Sequence, residues 1–444
     1  MSTEETPHDR TRLKVDAQIN LVIRAFAEKE IHIGVARLKN GGLDFAYQQQ
    51  VILVRDAYLD RIPDIVGGGE PLDGLVDGAT VYSLAGADIP DVIGALEAID
   101  ARLGVGVAGP NHVLSICPAA FCPATEPDEP RDGDRPEPGI CEGHGGDGVF
   151  VYVVDTGRLD DAAGHSWLAG VTGDPDQFTA PNIPPYTGHG TFVAGVARCM
   201  APASQMYIAN ALPVAGAQLE TELIKHLDAA LSRAPDIISM SAGATSRKDL
   251  PPLGFEALWQ RYRHHKGVLL VAAAGNNGDR RPFWPAAFPQ VVSVGALAAN
   301  WRSRAAFSDY GGWVDVYAPG EGLVNAYATG TYVCHEPPDT GQMRQFHGMA
   351  RWSGTSFSTP LVSGLIAARM SRTGENSRQA ASALLTAALA QRLPGVGPAL
   401  YPCDDGDCGA GGGHGHHHHG CRHHGGAHHG GGCQRDAGCH CGCT

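Results

Sequence analysis

From residue 148 to residue 393, short apolar runs alternate with longer segments of helical periodicity. Residues 149–154 form a continuous apolar run, which is typical of a strand buried in a parallel sheet. The alternation predicts an α/β fold with a mostly parallel sheet flanked by helices on both faces. The other predicted strands are 206–209, 236–240, 268–273, 291–294 and 314–317, and the predicted helices are 190–199, 219–233, 254–265, 356–372 and 377–391.

Three glycine-rich turns in this stretch place Asp155, His189 and Ser356 in that order along the chain. Each residue taken alone has a plain structural explanation: a turn aspartate, one of 21 histidines, and a serine that caps a helix. Together they form the set in which an imidazole takes the serine proton and a carboxylate orients the imidazole. The combination therefore predicts nucleophilic catalysis by Ser356.

A fourth polar side chain, Asn276, follows a predicted strand and offers an amide that donates to an oxyanion. The alternative is that residues 275–278 form an ordinary turn, because Gly and Asn are common turn residues. The neighbouring Asn277 is a second candidate for the same role.

The motifs around these residues resemble those of the subtilisin-like serine peptidases, or subtilases. The matching segments are Val-Tyr-Val-Val-Asp-Thr-Gly (151–157), Gly-His-Gly-Thr-Phe-Val-Ala-Gly (188–195), Ala-Ala-Ala-Gly-Asn (272–276) and Gly-Thr-Ser-Phe-Ser-Thr-Pro (354–360). The resemblance spans residues 148–395 and implies a subtilisin-like peptidase domain. Subtilisin is itself a worked example of convergent Asp-His-Ser chemistry.

By this resemblance, Asp155, His189 and Ser356 are the catalytic triad of a serine endopeptidase, and Asn276 is the oxyanion donor. Ser241, Ala242 and Gly243 match the segment that pairs with extended substrate in that family. The substrate is then a peptide or protein, cleaved through an acyl-enzyme. No cofactor is implied for catalysis, and structural calcium, common in the family, has no identifiable loop here.

Two departures from the family pattern lie beside these motifs. Phe192 stands where many members have a second histidine, and Phe357 and Ser358 replace the commoner Met-Ala pair. The stretch 334–351, ahead of the nucleophile, is long and is expected to shape the cleft. None of these changes removes a catalytic group.

The pattern of strand and helix signals in residues 1–117 predicts a small α+β domain, which resembles the propeptide of the family. Its predicted strands are 50–55, 78–84 and 111–116, and its predicted helices are 57–66 and 89–103, with a weaker helical pattern at 16–28. The resemblance implies an intramolecular inhibitor. A permanently attached accessory domain is the alternative.

Residues 118–147 are rich in Pro, Gly, Asp and Glu. Such a segment buries too little apolar surface to offset its ordering entropy, so it predicts an exposed linker. We expect autocatalytic cleavage in this region, residues 118–148, because an exposed linker is accessible to a protease.

The segment 396–444 is a Gly/His/Cys-rich tail that carries seven of the 12 cysteines. His and Cys are good ligands for Zn, Ni or Cu, yet the spacing fits no standard zinc module. A metal-binding tail and a disordered, solvated tail are equally open interpretations.

The composition excludes several classes of partner. The net charge of -14 argues against binding to nucleic acid or to an anionic membrane. No apolar run approaches the roughly 20 residues that cross a bilayer, and the polar first twelve residues lack the apolar core of a signal peptide. We therefore expect a cytoplasmic protein, with export by a non-classical route as the alternative, and most of the scattered cysteines as reduced thiols.

Two functions other than an endopeptidase remain open from the sequence. One is a non-catalytic peptide-binding protein that keeps the subtilase fold. The other is a metal-binding module, formed by the tail, with an attached processing protease.

Overall fold

The computed structural model of the chain describes residues 7–116, 125–131, 135–141, 143–160, 164–264 and 267–402. The tail prediction for the residues from 403 onward lies outside these residues, as do Cys117 and Cys122. The N-terminal part contains α1 (Pro7–Ala27), β1 (Ile33–Arg37), β2 (Leu43–Arg55), α2 (Pro63–Val66), β3 (Glu70–Val76), β4 (Ala79–Ser83), α3 (Val92–Leu103) and β5 (Ala108–Ser115).

The larger part begins at β6 and contains sixteen further helices and strands among the described residues. The strands are β6 (Phe150–Asp155), β7 (Thr172–Gly173), β8 (Asn182–Ile183), β9 (Gln205–Asn210), β10 (Ala217–Leu219), β11 (Ile237–Met240), β12 (Leu269–Ala273), β13 (Val292–Leu297), β14 (Val316–Pro319), β15 (Leu323–Val333) and β16 (Met343–Trp352). The helices are α4 (His189–Met200), α5 (Glu220–Ser232), α6 (Leu253–Tyr262), α7 (Thr355–Thr373) and α8 (Ser377–Ala390).

A seven-stranded parallel sheet in the order β14-β13-β12-β11-β6-β9-β7 forms the centre of the larger part. Strand side chains alternate between two apolar clusters, as the two-residue period of a strand requires. Val151 and Val153 pack with α4, α7 and α8, whereas Tyr152 and Val154 pack with α5 and α6. The prediction of an α/β fold with helices on both faces is confirmed.

The N-terminal part is an antiparallel sheet in the order β5-β2-β4-β3, with β1 paired to β2. One face packs on α3 through Ile52 and Val54, which are buried with Leu96. The other face supplies Leu53 and Leu114 to the cluster that contains α5 and α6. The N-terminal sheet is therefore docked on the two helices that cover one face of the central sheet.

The predicted helix at 57–66 is broken in the structure. A 3₁₀ turn covers Asp56–Arg61, and the short α2 begins at Pro63. Proline has no backbone N–H to donate to a preceding turn, so it starts a helix more readily than it continues one. The weak helical pattern at 16–28 belongs to the longer α1, and β1, β3 and β10 have no counterpart among the predicted strands.

The described linker segments are ordered by pairing with the hairpin β15–β16. Asp128 and Arg351 exchange backbone hydrogen bonds of 2.9 and 2.8 Å, and Glu137 and Val324 exchange a pair of 2.9 Å each. Glu126 is only 5% exposed, whereas Asp128 and Glu137 are exposed. The predicted exposure therefore fails at Glu126 but not at Asp128 or Glu137. The order itself was not predicted, because the hairpin supplies the backbone partners that the linker's own composition cannot.

Two further observations bear on the compositional predictions. Within the described part of the chain, no helix is long and apolar enough to cross a membrane. Cys199 and Cys334 form no disulfide within the described residues. Burial raises the pKa of Cys199 to about 12, which keeps this thiol protonated and unreactive.

Candidate active site

The three predicted catalytic residues converge at the carboxyl end of the central sheet. Asp155 is the last residue of β6, His189 the first of α4 and Ser356 the second of α7. They are 0%, 1% and 3% exposed. His189 Nδ1 lies 2.7 Å from Asp155 Oδ1, which also accepts a 2.8 Å hydrogen bond from the Thr156 N–H.

The opposite nitrogen of the imidazole is not hydrogen-bonded to Ser356. Within the described residues, His189 Nε2 is buried and has no hydrogen-bond partner. Ser356 Oγ instead lies 3.3 Å from the carbonyl oxygens of Ile116 and Ser241. The nucleophile is thus in contact with the end of β5 rather than with its expected base, a looser arrangement that resting sites commonly show.

A buried hydrogen-bond network, not predicted from the sequence, fixes the turn that carries His189. Asp176 Oδ2 accepts two hydrogen bonds, one of 2.7 Å from the Gly188 N–H and one of 3.0 Å from Thr156 Oγ1. Thr156 Oγ1 in turn accepts a hydrogen bond of 3.1 Å from the Gly190 N–H. The peptide groups on both sides of His189 are therefore fixed to the turn that follows Asp155. Burial raises the pKa of Asp176 to about 6.

Gly188 and Gly190 are glycines for geometric reasons. Gly188 has φ of 84°, and a Cβ there would lie 2.8 Å from the ring of Tyr327. A Cβ on Gly190 would lie 2.6 Å from the carbonyl oxygen of Gly157. Both values are below any normal carbon contact, so the close approach of the two catalytic turns requires glycine at each position.

The amide of Asn276 is oriented by the residue before the nucleophile. Its Oδ1 accepts from the Thr355 N–H at 2.9 Å and from Thr355 Oγ1 at 3.0 Å. Those two bonds leave Nδ2 as the end of the amide that is available to a ligand. Asn277, the alternative candidate, donates through its Nδ2 to Asp309 at 3.1 Å.

Ser241 has a second role that the sequence did not indicate. Pro360 lies inside α7 and has no N–H to donate to the carbonyl of Ser356, four residues earlier. Ser241 Oγ donates to that carbonyl at 2.8 Å and satisfies it. The predicted substrate-pairing segment therefore also supports the first turn of the helix that carries the nucleophile.

The cleft beside Ser356 is filled by β5 from the N-terminal part. Ser115 and Gly243 exchange backbone hydrogen bonds of 3.0 and 3.1 Å, while Val113–Ser115 pairs antiparallel with β10 on the other side. The Ile116 N–H donates to Gly216 at 2.9 Å. Residues 113–116 thus lie as a middle strand between two rims of the cleft, one formed by β10 and the other by Gly243, which belongs to the segment that the resemblance assigns to substrate pairing.

No metal site is found among the residues that the structure describes: they contain no group of three or more His, Cys, Asp or Glu side chains placed to hold an ion. The calcium and tail-metal expectations stay predictions.

Comparisons with known proteins agree with this geometry. A model of the subtilase family matches residues 146–411. Thermitase from Thermoactinomyces vulgaris is 31% identical over 251 residues, which cover 53% of this chain and 80% of thermitase. A thermophilic serine proteinase from Bacillus sp. (strain AK1) is 30% identical over 245 residues, 52% of this chain and 54% of that protein. The chain thus spans only about half the length of that second relative.

Among solved structures, fervidolysin from Fervidobacterium pennivorans, described as a keratinolytic enzyme related to subtilisin, shares the fold. The TM-score is 0.53 at 17% identity, over 82% of this chain and 61% of that one. The family match covers more than half of the chain, and the named relatives are serine proteinases. The chain belongs to the subtilase family of serine endopeptidases.

Proposed function

We propose that the chain hydrolyses peptide bonds through Ser356, His189 and Asp155, with Asn276 as an oxyanion donor. The observation that carries this proposal is the buried 2.7 Å pair of His189 and Asp155, placed beside a serine hydroxyl that contacts a peptide carbonyl. Peptidase activity follows from the family; the residue roles are the proposal.

In the first step, Ser356 Oγ attacks the carbonyl carbon of the substrate while its proton passes to His189 Nε2, the unpartnered nitrogen. Asp155 holds the opposite N–H, fixes the tautomer and stabilises the imidazolium. Asn276 Nδ2 and the Ser356 N–H, at the positive end of α7, donate to the oxyanion that develops.

The protonated His189 then gives its proton to the leaving amine, and the C–N bond breaks. Water attacks the resulting acyl-enzyme with His189 as base, which releases the acid product and restores the serine.

We also propose that the N-terminal part inhibits the site by occupying it. Residues 113–116 pair with both rims of the cleft, as an extended substrate would. Leu114 is fully buried, and burial of such a side chain contributes about 1.5–3 kcal/mol. A buried contact between His112 and Glu220 of α5, with Nδ1 and Oε2 2.7 Å apart, adds to this docking.

Self-processing is proposed next to this strand. Because Ser356 Oγ contacts the carbonyl of Ile116, the bond after Ile116, or the next bond, is the candidate. This position lies just before the linker rather than within it. N-terminal sequencing of the shortened chain identifies the bond, and a new N-terminus in the linker beyond Pro118 would count against the proposal.

The catalytic assignment predicts a specific labelling pattern in the processed enzyme. A fluorophosphonate probe should label the unaltered chain, and Ser356→Ala or His189→Ala should abolish labelling. Asn276→Ala should lower kcat by about 10²- to 10³-fold, since one oxyanion donor is lost. Probe attachment that persists in folded Ser356→Ala would refute the assignment and favour a non-catalytic peptide-binding protein.

Asp176→Ala should lower kcat far more than it changes KM. It removes the single oxygen that accepts from both the Gly188 N–H and Thr156 Oγ1, so the turn that carries His189 loosens. A displacement of about 1 Å at a catalytic group lowers the rate by up to about 100-fold. Asp160→Ala is the matched control, because the Asp160 side chain is 81% exposed. Equal kinetics for the two variants would show that Asp176 does not position His189.

Docking of α1 should weaken as the pH rises. Gln18 of α1 donates 2.5 Å to Glu336, whose pKa is raised to about 7 by burial and by the nearby Glu126. The Gln18 hydrogen bond, Lys14 and Arg344 act in the opposite direction. Departure of α1 exposes Glu336 and so reduces the burial that is the largest cause of the raised pKa, and the docked state therefore binds the proton more tightly. The stabilisation of the docked state by protonation of Glu336 is complete below about pH 4.5 and is lost as the pH rises through 7.

Limited proteolysis of α1 in the Ser356→Ala chain measures this docking without self-cleavage. Because α1 supplies only part of the burial, we expect cleavage to quicken about tenfold between pH 5 and 8, equivalent to one pKa unit. Glu336→Gln should remove the pH dependence. A pH dependence that is the same in both chains would contradict the role of Glu336.

A further inference from the structure

The ordered linker segment 125–131 has one deeply buried charged side chain. The carboxylate of Glu126 accepts from Tyr332 OH at 2.9 Å, from the His335 N–H at 2.5 Å and from the Glu336 N–H at 3.2 Å. These three donors belong to the end of β15 and the turn that follows it. Glu126 therefore fixes the linker to the hairpin from the inside, where an unpaired carboxylate would be strongly unfavourable.

The same segment reaches the end of the hairpin that leads to the nucleophile. The indole Nε1–H of Trp352 donates to the carbonyl oxygen of Thr125. Asp128 pairs through its backbone with Arg351, the residue before Trp352. Trp352 ends β16 and lies four residues before Ser356, so the linker holds the last strand residue ahead of the catalytic turn.

Trp352 also packs on the proposed catalytic base. Its ring centroid lies 5.3 Å from that of His189, with the rings nearly perpendicular at 88°. Phe357 contacts both rings, at 5.3 Å from His189 and 5.4 Å from Trp352, and Phe192 packs on Phe357 at 4.5 Å. Phe192 and Phe357, two of the three residues that depart from the family pattern, thus belong to one aromatic cluster buried against His189. Tyr327 connects this cluster to the hairpin through contacts with Trp352 and Phe346.

We propose that residues 125–128 are a permanent brace of the active site, in which Glu126 acts as a positioning residue that holds Trp352 against His189. The inference rests on the proposed role of His189 as the base. A cut after Ile116 or Cys117 leaves this brace attached to the peptidase, so processing removes the strand that fills the cleft and keeps the segment that orders it.

The brace predicts a loss in turnover from a change that touches neither substrate nor base. In the processed enzyme, Glu126→Gln replaces one acceptor oxygen by an NH₂ group that opposes the backbone donors. We expect kcat to fall about tenfold or more with KM nearly unchanged, because His189 is less often correctly placed. Trp352→Phe keeps an aromatic ring but loses the bond to Thr125, and should act in the same direction.

Glu129→Gln is the matched control. It makes the same chemical change three residues further along the chain, just outside the brace, where Glu129 Oε1 accepts from the Gln345 N–H at an exposed position. It should leave kcat and KM unchanged. If Glu126 acts through Trp352, the double variant should lose much less than the product of the two single losses.

Unaltered kcat in Trp352→Phe and Glu126→Gln, or losses that multiply fully in the double variant, would overturn the brace. If Glu126→Gln fails to fold, Trp352→Phe decides alone.

The imidazole proton resonances of His189 give a readout independent of turnover, since the ring current of Trp352 acts on them. Their chemical shifts should change in Glu126→Gln and remain those of the unaltered enzyme in Glu129→Gln. Unchanged His189 shifts in Glu126→Gln would also overturn the inference. An inactive unaltered enzyme would refute the proposed function and leave this spectroscopic test in force.

Discussion

The backbone pairing of residues 113–116 with both rims of the cleft is the interaction on which the arrangement of the molecule depends. β10 lies on one side of this strand and Ser241–Gly243 on the other. Backbone hydrogen bonds are indifferent to side-chain identity, so the same rims accept the protein's own strand and an extended substrate. The N-terminal sheet, docked on α5 and α6, delivers the strand in register and brings the carbonyl of Ile116 to Ser356 Oγ.

Around that strand, Asn276 and the segments that carry His189 and Ser356 are each fixed by a partner outside the proposed triad. Asp176 and Thr156 hold the turn of His189, Thr355 orients Asn276, and Ser241 completes the helix turn that Pro360 leaves open. Most of these partners are buried, where hydrogen bonds are costly to leave unmade. The site is therefore preorganised by a continuous polar network within an apolar surround.

The central strands, the helices and the residues that converge on the site could be predicted from the sequence, because each signal is local. Apolar runs mark β6 and β12, and glycine-rich turns mark His189 and Ser356. Asp176 and Glu126 could not be found in this way. Each acts on donors distant in sequence, Gly188 in one case and Tyr332 in the other, and no local pattern reports such a contact. The order of the described linker segments could not be predicted for the same reason, because it comes from pairing with β15 and β16 and not from the segments' own composition.

The central claim is that the chain binds its own strand as a substrate in cis, and the kinetic order of processing tests it most directly. Full-length chain, allowed to mature over a hundredfold range of dilution, is followed by intact mass. The account predicts a first-order rate that is independent of protein concentration, since Ser356 already contacts the strand to be cut. A rate that rises in proportion to concentration would mean that one molecule cuts another, and would contradict it.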